Sequence, residues 1–343
     1  MATMNAFASS VFSTTSLSGV VNKIPFVPSL LGTLSAAGRP LFEARPVRTR
    51  DIFVDRNEGK LQLIPHSADG APPAPRENDA RSGVSLRTLR LAERSRLNAH
   101  ELDGIRAFGS ESELVAVQAE VARRTQNLMA DIDLTHEHLR LGAIQGKVLD
   151  ADGSTVLFDY FSEFGEAEPA AVPLDLDIAG TEVITVVRGV VRSMARSAQG
   201  SMVPGARIMA LCGDAFWDAL TTHPNVEKFF LNQLAAAQLR EAQAFDSFTF
   251  GGIEFINYRG TDDNSTVAIA DNEAAVFPVG ARDMFSVAWS PLESTSMIGS
   301  AGQPFFLQTV PDRDRNFYVD IEVYSYPLFI CQQPRVLRKL TLT

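Results

Sequence analysis

The chain has 343 residues, 45% of them hydrophobic, and a formal net charge of -10. That is apolar material enough for a sizeable core, and the length suits roughly two or three domains. The acidic balance excludes a chain-wide nucleic-acid binder, which needs clustered Lys and Arg, and no apolar run reaches the roughly 18 residues that a membrane helix needs.

The charge is unevenly spread. Residues 1–50 hold Lys23, Arg39, Arg45, Arg48 and Arg50 against Glu43 alone, so this arm suits a polyanion or an acidic partner as well as plain solvation. Its first 22 residues are uncharged and lack the basic start of a secretory signal. Phe26, Val27, Leu30 and Leu31 are apolar but broken by Pro25, Pro28 and Gly32, a pattern expected to insert singly into pockets on something else. Eight of the 18 prolines lie before Ser110, so this long opening stretch needs a surface to lie against, a second copy of the chain being the leading candidate.

Asp51 to Ile64 reads as a hairpin, with Ile52–Val54 and Leu61–Ile64 as strands and Asn57-Glu58-Gly59 as the turn. Ser67 to Asn78, with Pro72, Pro73 and Pro75, reads as loop. Val84, Leu86, Leu89 and Leu91 resume strand spacing, with Arg81, Arg87 and Arg90 between them. A two-stranded ribbon of this kind is marginal by itself.

Asn98 with Glu101 forms a capping box for a short helix, and Ser110 with Glu113 forms a second. Leu114, Val117, Val121, Leu128, Ile132 and Leu139 then make one apolar stripe, predicting a helix to about Leu141 that is roughly 45–50 Å long. Gly142 and Gly146 are expected to stop it. Glu120, Arg123, Arg124, Asp131, Asp133 and Glu137 belong to the opposite, wet face.

A second hairpin is predicted over Lys147–Leu149 and Val156–Phe161, turning at Asp152-Gly153. Thr181 to Ser197 predicts a helix with Val183, Val186, Val187, Val190 and Met194 on one side and Arg188, Arg192 and Arg196 in a row on another. That row suits carboxylates, across a subunit boundary or nearby, as well as a solvated face or a polyanion. A strand at Ile208–Cys212 and helices at Asp214–Leu220 and Val226–Arg240 follow. Next come a Gly251-Gly252 hairpin between Phe248–Phe250 and Ile253–Ile256, and a strand at Val267–Ala270. Phe285, Val287 and Trp289 alternate. So do Val319, Ile321 and Val323, which predict a sheet with one wetter, Tyr-lined face and the long helix against the other.

Chemistry is sparse. His136-Glu137-His138 lacks the i, i+4 histidine spacing of a metalloprotease helix and reads as a solvated face. Asp150-Ala151-Asp152-Gly153 fails as a calcium loop, because Phe161 stands where the closing Glu belongs. Asp262-Asp263-Asn264 reads as a loop. Cys212 and Cys331 sit in apolar runs and read as buried free thiols, in a compartment that is reducing or indifferent to redox, and His223 is the one histidine near enough to approach Cys212. Neither a phosphate loop nor a nucleophile elbow is present, so no catalytic residue, cofactor or metal is assigned.

Four passages carry a resemblance: "DIFVDRNEGKLQLIPHSADGAPP", the stretch from "LNAHELDGIRAFGSESELVAVQAEV" through "GKVLDADGSTVLFDYFSEFG", "ADNEAAVFPVG" and "YVDIEVYSYPLFICQQPRVLRKL". In order and spacing, from Asp51 to Leu340, the chain resembles the major capsid proteins of lambda-like tailed phages, the capsid E family. That resemblance implies an α+β, HK97-like capsid fold. Residues 1–50 would be the N-terminal arm, 51–91 the E-loop, and 92–171 the first part of the peripheral domain with a spine helix over 110–141. An inserted α/β axial domain over 172–278 and a peripheral return over 279–343 would complete it.

It further implies hexamers and pentamers of the chain itself, closing an icosahedral shell around double-stranded DNA without sequence-specific binding. Decoration protein, portal and scaffold or protease would be partners, with assembly in the bacterial host cytoplasm and residence in the virion. Phe53, Leu61, Leu63, Arg87, Arg90, Arg188, Arg192 and Arg196 are the residues expected at subunit contacts. Some capsid proteins of this fold crosslink through a Lys–Asn bond, but Lys60 reads as a solvated lysine beside a turn. An encapsulin-like compartment shell is the alternative from the same fold, and a two-domain hydrolase the alternative from another class.

Overall fold

The computed structural model describes residues 30–57, 81–103, 113–229, 247–258, 268–297 and 299–343. Leu61, Leu63, Lys60, the Pro-rich 67–78 stretch, Ser110 and Asp262–Asn264 lie outside these residues.

One helix organises the molecule. It runs over Glu113–Gln145, 33 residues or roughly 50 Å at the usual rise. Val121, Leu128 and Ile132 pack on Leu97, Val319, Ile321 and Val323, so the predicted helix-on-sheet layer is present. That sheet has the order Phe306–Pro311, Tyr318–Ser325, Leu91–Asn98, all antiparallel. Its other face carries Tyr318 and Tyr324, with Arg96 stacked 3.7 Å over the first ring and Arg90 5.3 Å over the second.

The helix ends at Gly146, whose φ of +85° suits a residue without Cβ. Gly142 does not stop it. It lies inside the helix, packed so closely on the next strand that a Cβ there would fall 2.8 Å from Val148 Cα and 2.9 Å from the Lys147 carbonyl oxygen. The following hairpin pairs Lys147–Leu149 with Val156–Asp159, and the Asp152 side chain accepts from the Ser154 and Thr155 backbone N–H groups at 2.9 Å each. The second strand is shorter than expected. Asp159 caps a short helix, Tyr160–Glu163, through the Phe161 and Ser162 N–H groups.

A six-stranded mixed sheet forms the other large layer. Its order is Ser247–Phe250, Ile253–Asn257, Arg207–Cys212, Glu273–Val279, Arg338–Thr341, Val172–Pro173. The Gly251-Gly252 turn is present as predicted, with φ of +62° and +97°. The helix Val183–Ser197 buries Val183, Val187, Val190 and Met194. Residues 268–270 form no strand, and the ladder position beside Arg207–Cys212 is taken by Glu273–Val279. The last strand, Arg338–Thr341, inserts between Glu273–Val279 and Val172–Pro173, so the end of the chain completes a sheet built mostly from its middle.

A third sheet has the order Pro327–Cys331, Phe285–Trp289, Glu43–Pro46. Its last strand belongs to the arm. The expectation that the arm inserts into something else is corrected for residues 30–46: Leu31, Leu41 and Phe42 are buried in their own subunit's core. Glu43–Pro46 pairs in parallel with Phe285–Trp289, whose edge would otherwise leave ladder groups unpaired.

Candidate assembly surfaces

The predicted early hairpin is wider than its sequence signals. Asp51–Asn57 continues through the expected turn residue Asn57 and pairs antiparallel with Arg81–Arg87, from Asp51↔Arg87 to Asn57↔Arg81. In this pairing Ile52 and Val54 find Leu86 and Val84 opposite them. Leu86 is buried, anchoring one face of the ribbon, while Phe53 on the other face is 67% exposed. The Phe53 ring lies across Gly83, where a Cβ would come within 2.0 Å of it.

The ribbon's root is held by charge and backbone. Thr88 N–H donates to the Arg50 carbonyl at 3.0 Å, and Leu89 N–H to that of Pro327 at 3.0 Å. Glu293 receives Arg50 and, at 3.6 Å, Arg90. Arg90 is therefore engaged within its own subunit, whereas Arg87 is exposed at the ribbon's end. Leu61 and Leu63 lie outside the described residues.

Arg188, Arg192 and Arg196 are all exposed on the Val183–Ser197 helix, in the row that their spacing predicts. No described carboxylate lies within ion-pair distance of them. Two further apolar side chains stand out near the Tyr-lined sheet, Phe317 at 62% and Val310 at 37% exposure. Sequence reading passed over both, because Phe317 precedes its strand and Val310 sits in a polar-flanked segment.

A charged cluster braces the start of the long helix. Arg124 reaches Glu101, the Arg96 carbonyl and, at 2.7 Å, Glu120. Arg123 also bonds Glu120, and with Arg124 it holds that carboxyl down to about 2. Asp320 receives Arg96 in a fork, at 2.8 and 3.0 Å.

The His136-Glu137-His138 run is not a solvated face. His136 and Glu137 are 1% and 5% exposed. His136 Nε2 bonds Ser325 Oγ at 2.9 Å, and burial pushes its pKa down. Glu137 Oε1 accepts from Leu31 N–H at 2.8 Å and from the Tyr258 hydroxyl at 3.3 Å. Oε2 accepts from Arg140 at 3.3 Å. His138 Nε2 faces the Leu149 and Asp150 carbonyls, both at 3.2 Å. Asp133, also assigned to the wet face, is 7% exposed. Distant segments, the arm and the sheets, cover this part of the helix, which its own periodicity could not reveal.

No catalytic constellation forms among these groups. Burial raises the pKa of both thiols. His223 donates from Nε2 to the Ile178 carbonyl at 3.1 Å and accepts at Nδ1 from Asn225 N–H at 3.3 Å, so its ring is held by backbone rather than by Cys212. Among the described residues no group of His, Cys, Asp and Glu could hold a metal ion, and no helix is long and apolar enough to cross a membrane.

The sequence profile of phage major capsid protein E matches residues 13–342. This chain belongs to that family. Among relatives, the capsid E chain is 24% identical over 358 residues to the major capsid protein of Salmonella phage Felix O1, covering 94% of each protein. Among solved structures it matches the capsid protein of a prophage of E. coli CFT073 with a TM-score of 0.59 at 12% identity, over 96% of this chain and 99% of that one. The fold is therefore the HK97-like capsid fold that the resemblance implies. Among the described residues of this capsid E member, the exposed features include a ribbon with an exposed aromatic, an arginine row and two apolar side chains beside a sheet.

Proposed function

We propose that this chain is the shell subunit of a tailed-phage head, assembling with itself as hexamers and pentamers around double-stranded DNA. One observation carries the reading. The Asp51–Asn57/Arg81–Arg87 ribbon is a two-stranded sheet whose outer face exposes Phe53, an aromatic that a neighbouring molecule would bury. The family and the Felix O1 relative support the same conclusion, and favour a phage head over a compartment shell.

In this proposal residues 51–91 are the E-loop and the long helix is the spine of the peripheral domain, formed by 92–171 and 279–343. The axial domain spans 172–278, its sheet completed by the returning Arg338–Thr341 strand. Phe53 and Arg87 meet a neighbour directly, and Arg188, Arg192 and Arg196 pair with carboxylates across the subunit boundary. Arg90 sets the angle of the ribbon through Glu293. Weak contacts of this kind become decisive because each subunit makes several at once. Portal, scaffold or protease, and decoration protein join in the bacterial cytoplasm, and the mature chain resides in the virion.

Electron microscopy of the purified full chain, alone and with its scaffold, tests this. Shells, tubes or capsomers are expected. A strictly monomeric protein at high concentration in both cases would overturn the proposal.

A further inference from the structure

The arm, the long helix, the Phe285–Trp289 sheet and residues 303–305 line a half-open cavity of about 450 Å3. Its walls include Phe42, Trp289 and Phe305 on the apolar side and Asp133, His136 and Arg140 on the polar side. A cavity of this size with a few convergent polar groups has the build of a ligand site.

The three polar groups are not equally satisfied. Arg140 donates to Glu137 at 3.3 Å, and that carboxylate also takes the Leu31 N–H and the Tyr258 hydroxyl. His136 is held by Ser325, and burial pushes its pKa down. Asp133 Oδ1 has no hydrogen-bond partner, although the residue is only 7% exposed. His136 Nδ1 stands 3.7 Å from it, too far for a hydrogen bond.

Arg140 is paired with Glu137 and His136 with Ser325, so Asp133 Oδ1 is the lining oxygen left without a donor. A buried carboxylate oxygen without a donor is costly, and an added cationic donor relieves it. Aromatic walls favour cations over anions as well. A planar guanidinium is weakly hydrated, stacks on rings and presents forked donors to a carboxylate.

We propose that this cavity binds an alkylguanidinium or alkylammonium group, whose cationic head donates to Asp133 while its stem lies against Phe42, Trp289 and Phe305. Two sources carry that chemistry: a free small cation, and the Lys or Arg side chain of a second copy of the chain. The site itself stands apart from the shell reading; only the second source rests on it.

Calorimetric titration of the unassembled full chain with n-butylguanidinium tests the site, with n-butanol as the uncharged comparison. Saturable binding of the cation is expected, with the alcohol at least about ten-fold weaker. Asp133→Asn should weaken the cation by a similar factor, while Asp131→Asn, at an exposed position on the same helix, should not. Assembled particles separate the sources. Particles that bind the probe as subunits do point to a free cation, and particles that refuse it point to a side chain from a sister molecule. No binding to subunits, equal binding of the alcohol, or an unchanged Asp133→Asn would each overturn the proposal. Should Asp133→Asn fail to fold, the comparison of cation and alcohol on the unaltered protein decides.

Discussion

Leu31 donates its backbone N–H to Glu137 Oε1 at 2.8 Å, across 106 positions of sequence. The contact joins the arm to the long helix through a carboxylate that also holds Arg140 and Tyr258. A buried ion pair is costly to break because one charge remains behind in a low-dielectric site. Glu137→Leu is therefore expected to destabilise the unassembled subunit by about 3 kcal/mol or more. Urea unfolding gives the magnitude. Amide exchange at Leu31 should quicken in the variant, and unchanged protection there would show that Glu137 does not hold the arm.

Two helical glycines should respond in opposite directions to alanine. A Cβ at Gly142 meets Val148 Cα at 2.8 Å, so the helix and the following strand must part, at a cost of about 1–3 kcal/mol. A Cβ at Gly189 meets nothing within 4 Å, and its helix gains about 0.5–1 kcal/mol of propensity. Paired denaturation curves of Gly142→Ala and Gly189→Ala check both signs.

Phe53→Ser should separate folding from assembly. The ring is 67% exposed in the lone subunit, so stability there should change by no more than about 0.5 kcal/mol. Covering the ring in a shell contact is worth about 2 kcal/mol, which raises the protein concentration needed for assembly by about ten-fold or more. Light scattering against concentration measures this. An unchanged threshold would remove Phe53 from the interface.

Acid stability should depend on Glu120. Arg123 and Arg124 lower its pKa from 4.5 to about 2 in the folded chain. A depressed carboxyl adds stability above the unfolded pKa, and that contribution disappears as pH falls through the folded one. Glu120→Gln should thus be less stable than the unaltered chain by a constant amount above pH 4.5, and the gap should close towards pH 2. Unfolding midpoints at stepped pH values follow the difference; a gap that persists at pH 2 would assign it to something other than the ion pairs.

Local pattern was enough for much of the architecture. The period of Val121, Leu128, Ile132 and Leu139 marked the long helix, and the alternation of Val319, Ile321 and Val323 marked the sheet beneath it. Gly251-Gly252 announced its hairpin because only glycine takes two successive positive φ values at little cost. The Arg188, Arg192 and Arg196 row was legible for the same reason: helical spacing alone puts those residues on one side.

Tertiary structure decided what depends on distant partners. Asp51–Asn57 pairs with Arg81–Arg87, and the strand's own residues say which face is apolar but not which segment will lie beside it. Glu137 and Asp133 read as solvated because carboxylates usually are. They became buried when Leu30–Thr33 and the neighbouring sheets closed over the helix, supplying donors to Glu137 and leaving Asp133 Oδ1 without one. Sequence periodicity records a residue's own preference, whereas burial of a charge is settled by what packs against it.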